Sequence, residues 1–131
     1  MAIEERLVLD SGAVIALARN DVRARSVLTA AWESGARVSI PVVVLAETVR
    51  GRPEDAPINR VIKAVGDFID ATERDGRSAG HLLADTGMSS TVDAIIVACT
   101  DRVRGGSILT GDSGDLQRLA AQNPAITIVP L

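Results

Sequence analysis

The chain has one cysteine, one histidine, one tryptophan, one phenylalanine and no tyrosine in 131 residues. A single cysteine excludes an internal disulfide, and Cys99, set in the apolar run AIIVACT, reads as a small buried thiol suited to a reducing compartment. With so few rings, a core in a chain that is 47% hydrophobic must be built from Val, Ile, Leu and Ala. That composition fits the near-continuous apolar strands of a parallel sheet covered on both faces. No run approaches the ~18 uncharged apolar residues of a membrane helix, and the two acids in MAIEERL stand where a secretory leader carries bases. A soluble, cytoplasmic protein is the expectation. Lysine is also nearly missing: Lys63 is the sole one among 14 basic residues, so any phosphate contact falls to arginine forks.

A basic excess is absent as well. The formal net charge of −3 excludes the uniformly basic surface of a generic nucleic-acid binder. A cluster of metal-binding acids would lower the net charge while a local group of arginines still attracts phosphate. The length is about that of one domain, so residues 1–131 are expected to form a single unit.

Strands and helices alternate along the chain. RLVLD at 6–10 reads as a strand, turning at Asp10 into a helix that starts with SGAVIALARN. Residues 21–35 form an amphipathic helix with Val22, Val27, Leu28 and Trp32 on its apolar side and Gly35 closing it. RVSI at 37–40 is a second strand. Pro41 is placed as the first residue of a helix over VVVLAETVR that carries Glu47 and stops at Gly51. GRPEDAP at 51–57 reads as a surface connection, Ile58 to Phe68 as helix, and DFIDAT as the location of a short strand. Residues 74–87 are helical from HLLAD onward. MSST leads into the helix VDAIIVACTDRVR, stopped by Gly105 and Gly106. SILTG is a strand, DSGDLQRLAAQ a helix ending near Asn123, and ITIV a closing strand. This alternation, without a two-residue hairpin signal, predicts an α/β fold with three layers, α/β/α, around a mainly parallel sheet.

Four acids stand out by position. Asp10, Asp93 and Asp112 each lie at or near the start of a predicted helix, and Asp10 and Asp112 directly follow strands. In an open α/β sheet that edge is where ligands bind. Each aspartate has a purely local reading: Asp is a preferred helix cap, Ser90-x-x-Asp93 fits a capping box, and Asp112-x-x-Asp115 resembles one. Glu47, among apolar neighbours, has the alternative of an i,i+3 pair with Arg50. If the four converge at about 5 Å, each ionised pair costs ~3 kcal/mol at an effective dielectric of about 20. Six such pairs approach ~20 kcal/mol, more than the roughly 5–15 kcal/mol that stabilises a domain. No lysine lies near any of them in sequence, and His81 is in another segment. An all-oxygen set of this kind suits Mg2+ or Mn2+.

LVLDSGAVIAL, IPVVVLAETVRG, STVDAIIVACT and ILTGDSGDLQRL together resemble, in order, the four acidic motifs of PIN domains. The last is similar to that of VapC-type toxins. The resemblance runs from Leu7 to the final strand and implies a PIN fold with Mg2+ or Mn2+ held by Asp10, Glu47, Asp93 and Asp112. It further implies that Asp115 binds a second metal or a metal-bound water, and that Thr110 supports an acid or such a water. Ser11 and Gly12 depart from the Thr-Ser found after the first aspartate in many relatives, although the Ser11 hydroxyl can still serve the site or the local turn. Implied too are a metal-dependent endoribonuclease acting on structured RNA of the tRNA or rRNA class, a cognate VapB-type antitoxin and a homodimer.

Candidate RNA contacts are Arg19, Arg50, Arg52, Arg102 and Arg104, with Arg50 and Arg52 nearest the predicted site. Trp32 and Phe68 sit at apolar positions that favour core packing or a subunit interface over base stacking. His81 reads as a partly exposed surface residue without a catalytic role. Two rivals bound the reading. An aspartyl-phosphate mechanism at Asp10 usually needs a lysine after a later strand, which SILTGD does not supply. A PIN-like module that binds protein or RNA without cleaving has no need of all four repelling acids.

Overall fold

In a computed structural model describing residues 5–131, five parallel strands form one sheet in the order β3-β2-β1-β4-β5. They are β1 (Arg6–Leu9), β2 (Arg37–Pro41), β3 (Phe68–Ile69), β4 (Ser107–Thr110) and β5 (Thr127–Pro130). All five predicted strands are present. The helices are α1 (Ser11–Ala18), α2 (Val22–Glu33), α3 (Val42–Thr48), α4 (Ala56–Val65), α5 (Glu73–Thr86), α6 (Thr91–Arg102) and α7 (Ser113–Leu119). One group, α1, α2 and α4, packs together on one side of the sheet, and α5, α6 and α7 form the other layer. The short α3 touches α1, β2 and α6. Val8, Leu9, Ile40, Ile108 and Leu109 are fully buried between the layers, as expected of strands that face helices on both sides.

The strand order switches between β1 and β4: β2 and β3 step from β1 toward one edge of the sheet, and β4 and β5 toward the other. Leu7, Val8 and Leu9 register with Ser107, Ile108 and Leu109, so Asp10 and the residues after Thr110 leave the sheet side by side. This is the crevice in which open α/β sheets place ligands.

Several boundaries differ from the sequence reading. Pro41 ends β2 rather than starting α3, its ring buried and its position in register with Ile69. On α2 the inward stripe is Ala24 and Leu28, while Val22 is 78% exposed at the first turn. Trp32 and Phe68 are 46% and 41% exposed, and Phe68 lies on β3, not on a helix, where Ile69 takes the core position. Core packing is therefore corrected for both rings. The 51–57 connection contains a 3-10 turn over Pro53–Asp55, and α4 begins before Ile58. Asp55 is buried there because its Oδ2 accepts the backbone N–H groups of Arg50, Gly51 and Arg52. Helix α5 starts well before HLLAD, at Glu73, through a reciprocal capping box between Thr72 and Asp75. Gly76 and Gly80 are accommodated because tertiary contacts with α6 outweigh the modest propensity cost of glycine.

Candidate functional site

Asp10 leaves β1 and caps α1, its Oδ1 accepting the N–H of Ala13 at 2.8 Å. The local reading thus holds at Asp10, and capping does not remove it from the crevice. It is buried. Burial pushes its carboxyl above the usual range, hydrogen bonds from the Thr110 hydroxyl and the Ala13 and Gly111 backbone pull it back, and the charge of Glu47 pushes it up again. Thr110 is fully buried, and its Oγ1 also accepts the N–H of Asp112 at 2.9 Å. One hydroxyl therefore links the first acidic turn to the last.

The two turns meet through glycine. A Cβ on Gly12 would stand 2.8 Å from the Gly111 Cα and 2.9 Å from its nitrogen, and one on Gly111 would stand 3.0 Å from the Gly12 Cα. Any side chain at Gly12 would push the turns apart. The sequence departure at position 12 is thereby tied to a close backbone approach that single-motif reading missed. Its signal was the pair of glycines, Ser11-Gly12 after one strand and Gly111 after another.

Glu47 lies in the last turn of α3 and is exposed, not facing the core as its apolar neighbours implied. It is nevertheless at the site, because its Oε1 accepts a hydrogen bond from Ser11 Oγ. The alternative pair with Arg50 does not form: the Arg50 guanidinium donates to the carbonyls of Ala46 and Val49 and closes α3.

Ser90 heads α6 but makes no side-chain cap. Its hydroxyl donates instead to Asp115 Oδ2 at 2.6 Å, across from α7. The capping-box reading of Ser90 and Asp93 is corrected accordingly, since a tertiary acceptor has replaced the local one. Asp112 likewise heads α7 without a side-chain cap. Asp93, half-buried in the first turn of α6, has its carboxyl pushed up to about 6, first by burial and then by the charges of Asp10, Asp115, Glu47 and Asp112. Five acids from four segments, Asp112 and Asp115 sharing the start of α7, thus repel one another electrostatically at one sheet edge.

Among the described residues no three carboxylates are positioned to hold a metal ion as they stand. The hydroxyls of Ser11, Ser90 and Thr110 engage Glu47, Asp115 and Asp10 instead. The donor chemistry still fits a hard cation, being all carboxylate and hydroxyl oxygen.

Of the candidate RNA contacts, Arg19, Arg50, Arg52 and Arg104 are exposed. Arg102 is corrected to a structural role, because its Nε lies 2.9 and 3.0 Å from the two oxygens of Asp75 and its Nη2 donates to the Asp70 carbonyl. His81 is exposed on α5, and Cys99 is buried with its thiol pushed up to about 11 by that burial.

The sequence matches the PIN domain family over residues 7–122. The chain belongs to the PIN domain family. PIN domains are generally nucleases and typically use divalent metals. No curated protein matches the sequence. Among solved structures, the chain is similar to VapBC2 from Rickettsia felis bound to a promoter DNA fragment, with a TM-score of 0.74 at 13% identity, covering 96% of this PIN domain and 98% of that chain. It is also similar to a toxin-antitoxin complex from Klebsiella pneumoniae, with a TM-score of 0.70 at 18% identity over 92% and 95% of the two chains. FitAcB from Neisseria gonorrhoeae follows the same course, with a TM-score of 0.65 at 14% identity over 93% and 95%. At such identities these likenesses speak for the PIN fold. Among the described residues no helix is long and apolar enough to cross a membrane.

Proposed function

We propose that this PIN domain is a divalent-metal-dependent endoribonuclease and the toxin of a VapBC-type pair. The observation that carries the reading is Asp93: a half-buried carboxyl surrounded by four further acids, with no hydrogen bond or ion pair to it among the described residues. Repulsion of this size is relieved by a bound cation. Asp10, Glu47, Asp93 and Asp112 would hold Mg2+ or Mn2+, with Asp115 as a further ligand. When bound, such an ion neutralises charge on a phosphodiester and activates water for in-line attack.

The chain's own residues do the rest. Thr110 fixes Asp10 and the start of α7 together, Ser11 holds Glu47, and the Gly12–Gly111 contact sets the spacing of the two turns. Arg50 and Arg52, exposed just beyond α3, offer positive charge to RNA phosphates beside the acids. The toxin reading is supported by the fold likeness to complexes described as VapBC and toxin-antitoxin, and it brings a VapB-type antitoxin and a homodimer as proposed partners. A tRNA or rRNA substrate is part of the same proposal.

A second reading, a non-cleaving PIN module, is favoured by one observation: no three acids are arranged around a common point. Mutual repulsion turns metal-free carboxylates toward hydroxyl donors, so the arrangement also accords with cleavage. Incubating the purified chain with total RNA and Mg2+ or Mn2+, then with EDTA, separates the two. Cleavage that EDTA abolishes is the expected result, and intact RNA under every metal condition would leave the module.

A further inference from the structure

Ser90 is the residue whose local and actual roles diverge most. Its sequence context offers a cap for α6, and at the head of that helix its hydroxyl makes no such bond. The first turn closes through the backbone, Ala94 N–H donating to the Ser90 carbonyl at 3.0 Å. Giving up a side-chain cap weakens the helix start. The hydroxyl is spent on Asp115 Oδ2, 25 residues away on α7, at 2.6 Å. Hydrogen bonds from a hydroxyl to a charged carboxylate are short and strong, and both residues are half-buried.

Three residues beyond Ser90, at the same end of α6, is Asp93, so the bond brings Asp115 of α7 to the turn that carries Asp93. Left to electrostatics, Asp93 and Asp115 would separate. The Ser90 bond opposes this by fastening the first turn of α7 to the start of α6. It occupies one oxygen of Asp115 and leaves Oδ1 without a hydrogen-bond partner among the described residues.

We infer that Ser90 is a positioning residue of the acidic site, holding Asp115 against Asp93 across the α6–α7 junction at the expense of capping its own helix. The inference rests on the metal-dependent reading above and assigns Ser90 no contact with substrate. Residues that orient a ligand from behind typically change metal affinity by roughly 10- to 100-fold when removed.

The test uses the full chain without RNA, with Mn2+ binding followed by calorimetry for the wild type, Ser90→Ala and Ser90→Thr. Ser90→Ala is expected to bind Mn2+ about tenfold more weakly, and Ser90→Thr, which keeps the hydroxyl, to bind within about twofold of wild type. Backbone order parameters for residues 112–115 should fall in Ser90→Ala and recover in Ser90→Thr, a change that loss of a simple α6 cap would not produce. Should Ser90→Ala prove unstable, Asp115→Ala removes the same bond from the other side and should loosen residues 112–115 in the same way. Unchanged Mn2+ affinity in Ser90→Ala, or unchanged order at 112–115 in a folded variant, would overturn the role of Ser90 alone. A wild-type chain that binds no Mn2+ overturns the metal reading together with it.

Discussion

Helix α6 carries an acid with no cation at one end and a cation with its acid at the other. Asp93, in the first turn, has no ion pair among the described residues and meets the charges of Asp10, Asp115, Glu47 and Asp112. Arg102, nine residues and about 14 Å along the axis, donates from its Nε to both carboxylate oxygens of Asp75. Burial pushes Asp75 up, but hydrogen bonds from Arg102 and Thr72 outweigh it and hold the carboxyl below the ordinary range. The same pattern of satisfied acids recurs at Asp67, held low by Arg37 and Ser39, and at Asp55, held low by three backbone N–H groups. Acids that serve the fold are neutralised by the chain itself. At the sheet edge Asp10 and Asp93 are instead pushed above the ordinary range, the contrast on which the proposed metal site rests.

Breaking this contrast at the Asp93 end should have the largest consequence. Asp93→Asn is expected to lower metal-dependent RNA cleavage by at least about 100-fold, as befits loss of several kcal/mol of charge stabilisation, while its circular dichroism stays native. A variant that unfolds would mean that Asp93 holds the helix rather than the chemistry. At the other end, Arg102→Ala leaves Asp75 charged and almost fully enclosed, and breaking such a pair costs about 3 kcal/mol or more. Thermal melting should drop by roughly 10 °C, with cleavage at low temperature preserved. A shift under about 2 °C would reduce the pair to ordinary surface charge.

The smallest effect sharpens the comparison through pH. A carboxyl raised to about 6, like Asp93, favours folding in its protonated form, so its contribution is full below the unfolded value of 3.8 and is lost as pH climbs through 6. Asp75 works in the opposite sense: its contribution is present above 3.8 and fades as pH falls through its lowered value. Without metal, the protein should therefore be most stable on the acid side of neutrality. Asp93→Asn should flatten the decline from pH 5 to 7 by roughly 1 kcal/mol, the raised carboxyl's effect being reduced by solvent reaching this half-buried group. Melting curves across pH in EDTA decide it, and an identical decline in both proteins would contradict the assignment.

The fold was largely readable because its strands are short β-branched or leucine-rich runs followed by turn residues, and parallel pairing follows from the helices between them. Helix ends were less readable. The start of α5 depends on Thr72 and Asp75 capping one another ahead of two glycines, and the sequence pattern gave more weight to HLLAD. At the site, the types and order of the acids were visible, and Thr110 and Ser11, singled out with them, hydrogen-bond Asp10 and Glu47. Glu47 was placed on the correct helix, but its apolar flank was no guide to its exposure: Val44 is buried while Ala46 and Glu47 face solvent. Ser90 and Arg102 could not be read locally at all: their partners, Asp115 and Asp75, lie 25 and 27 residues away, and a motif such as a capping box describes only what a side chain does when nothing better comes within reach.

The central strand β1 draws one neighbour from early in the chain and the other from residues 107–109. During synthesis, the first aspartate therefore waits beside an open sheet edge until most of the polypeptide has emerged from the ribosome, because non-local strands pair last. Without β4 the turn that carries Gly111 and Asp112 would have no partner beside Asp10, so the close contact between the two turns depends on residues nearly a hundred positions apart in sequence.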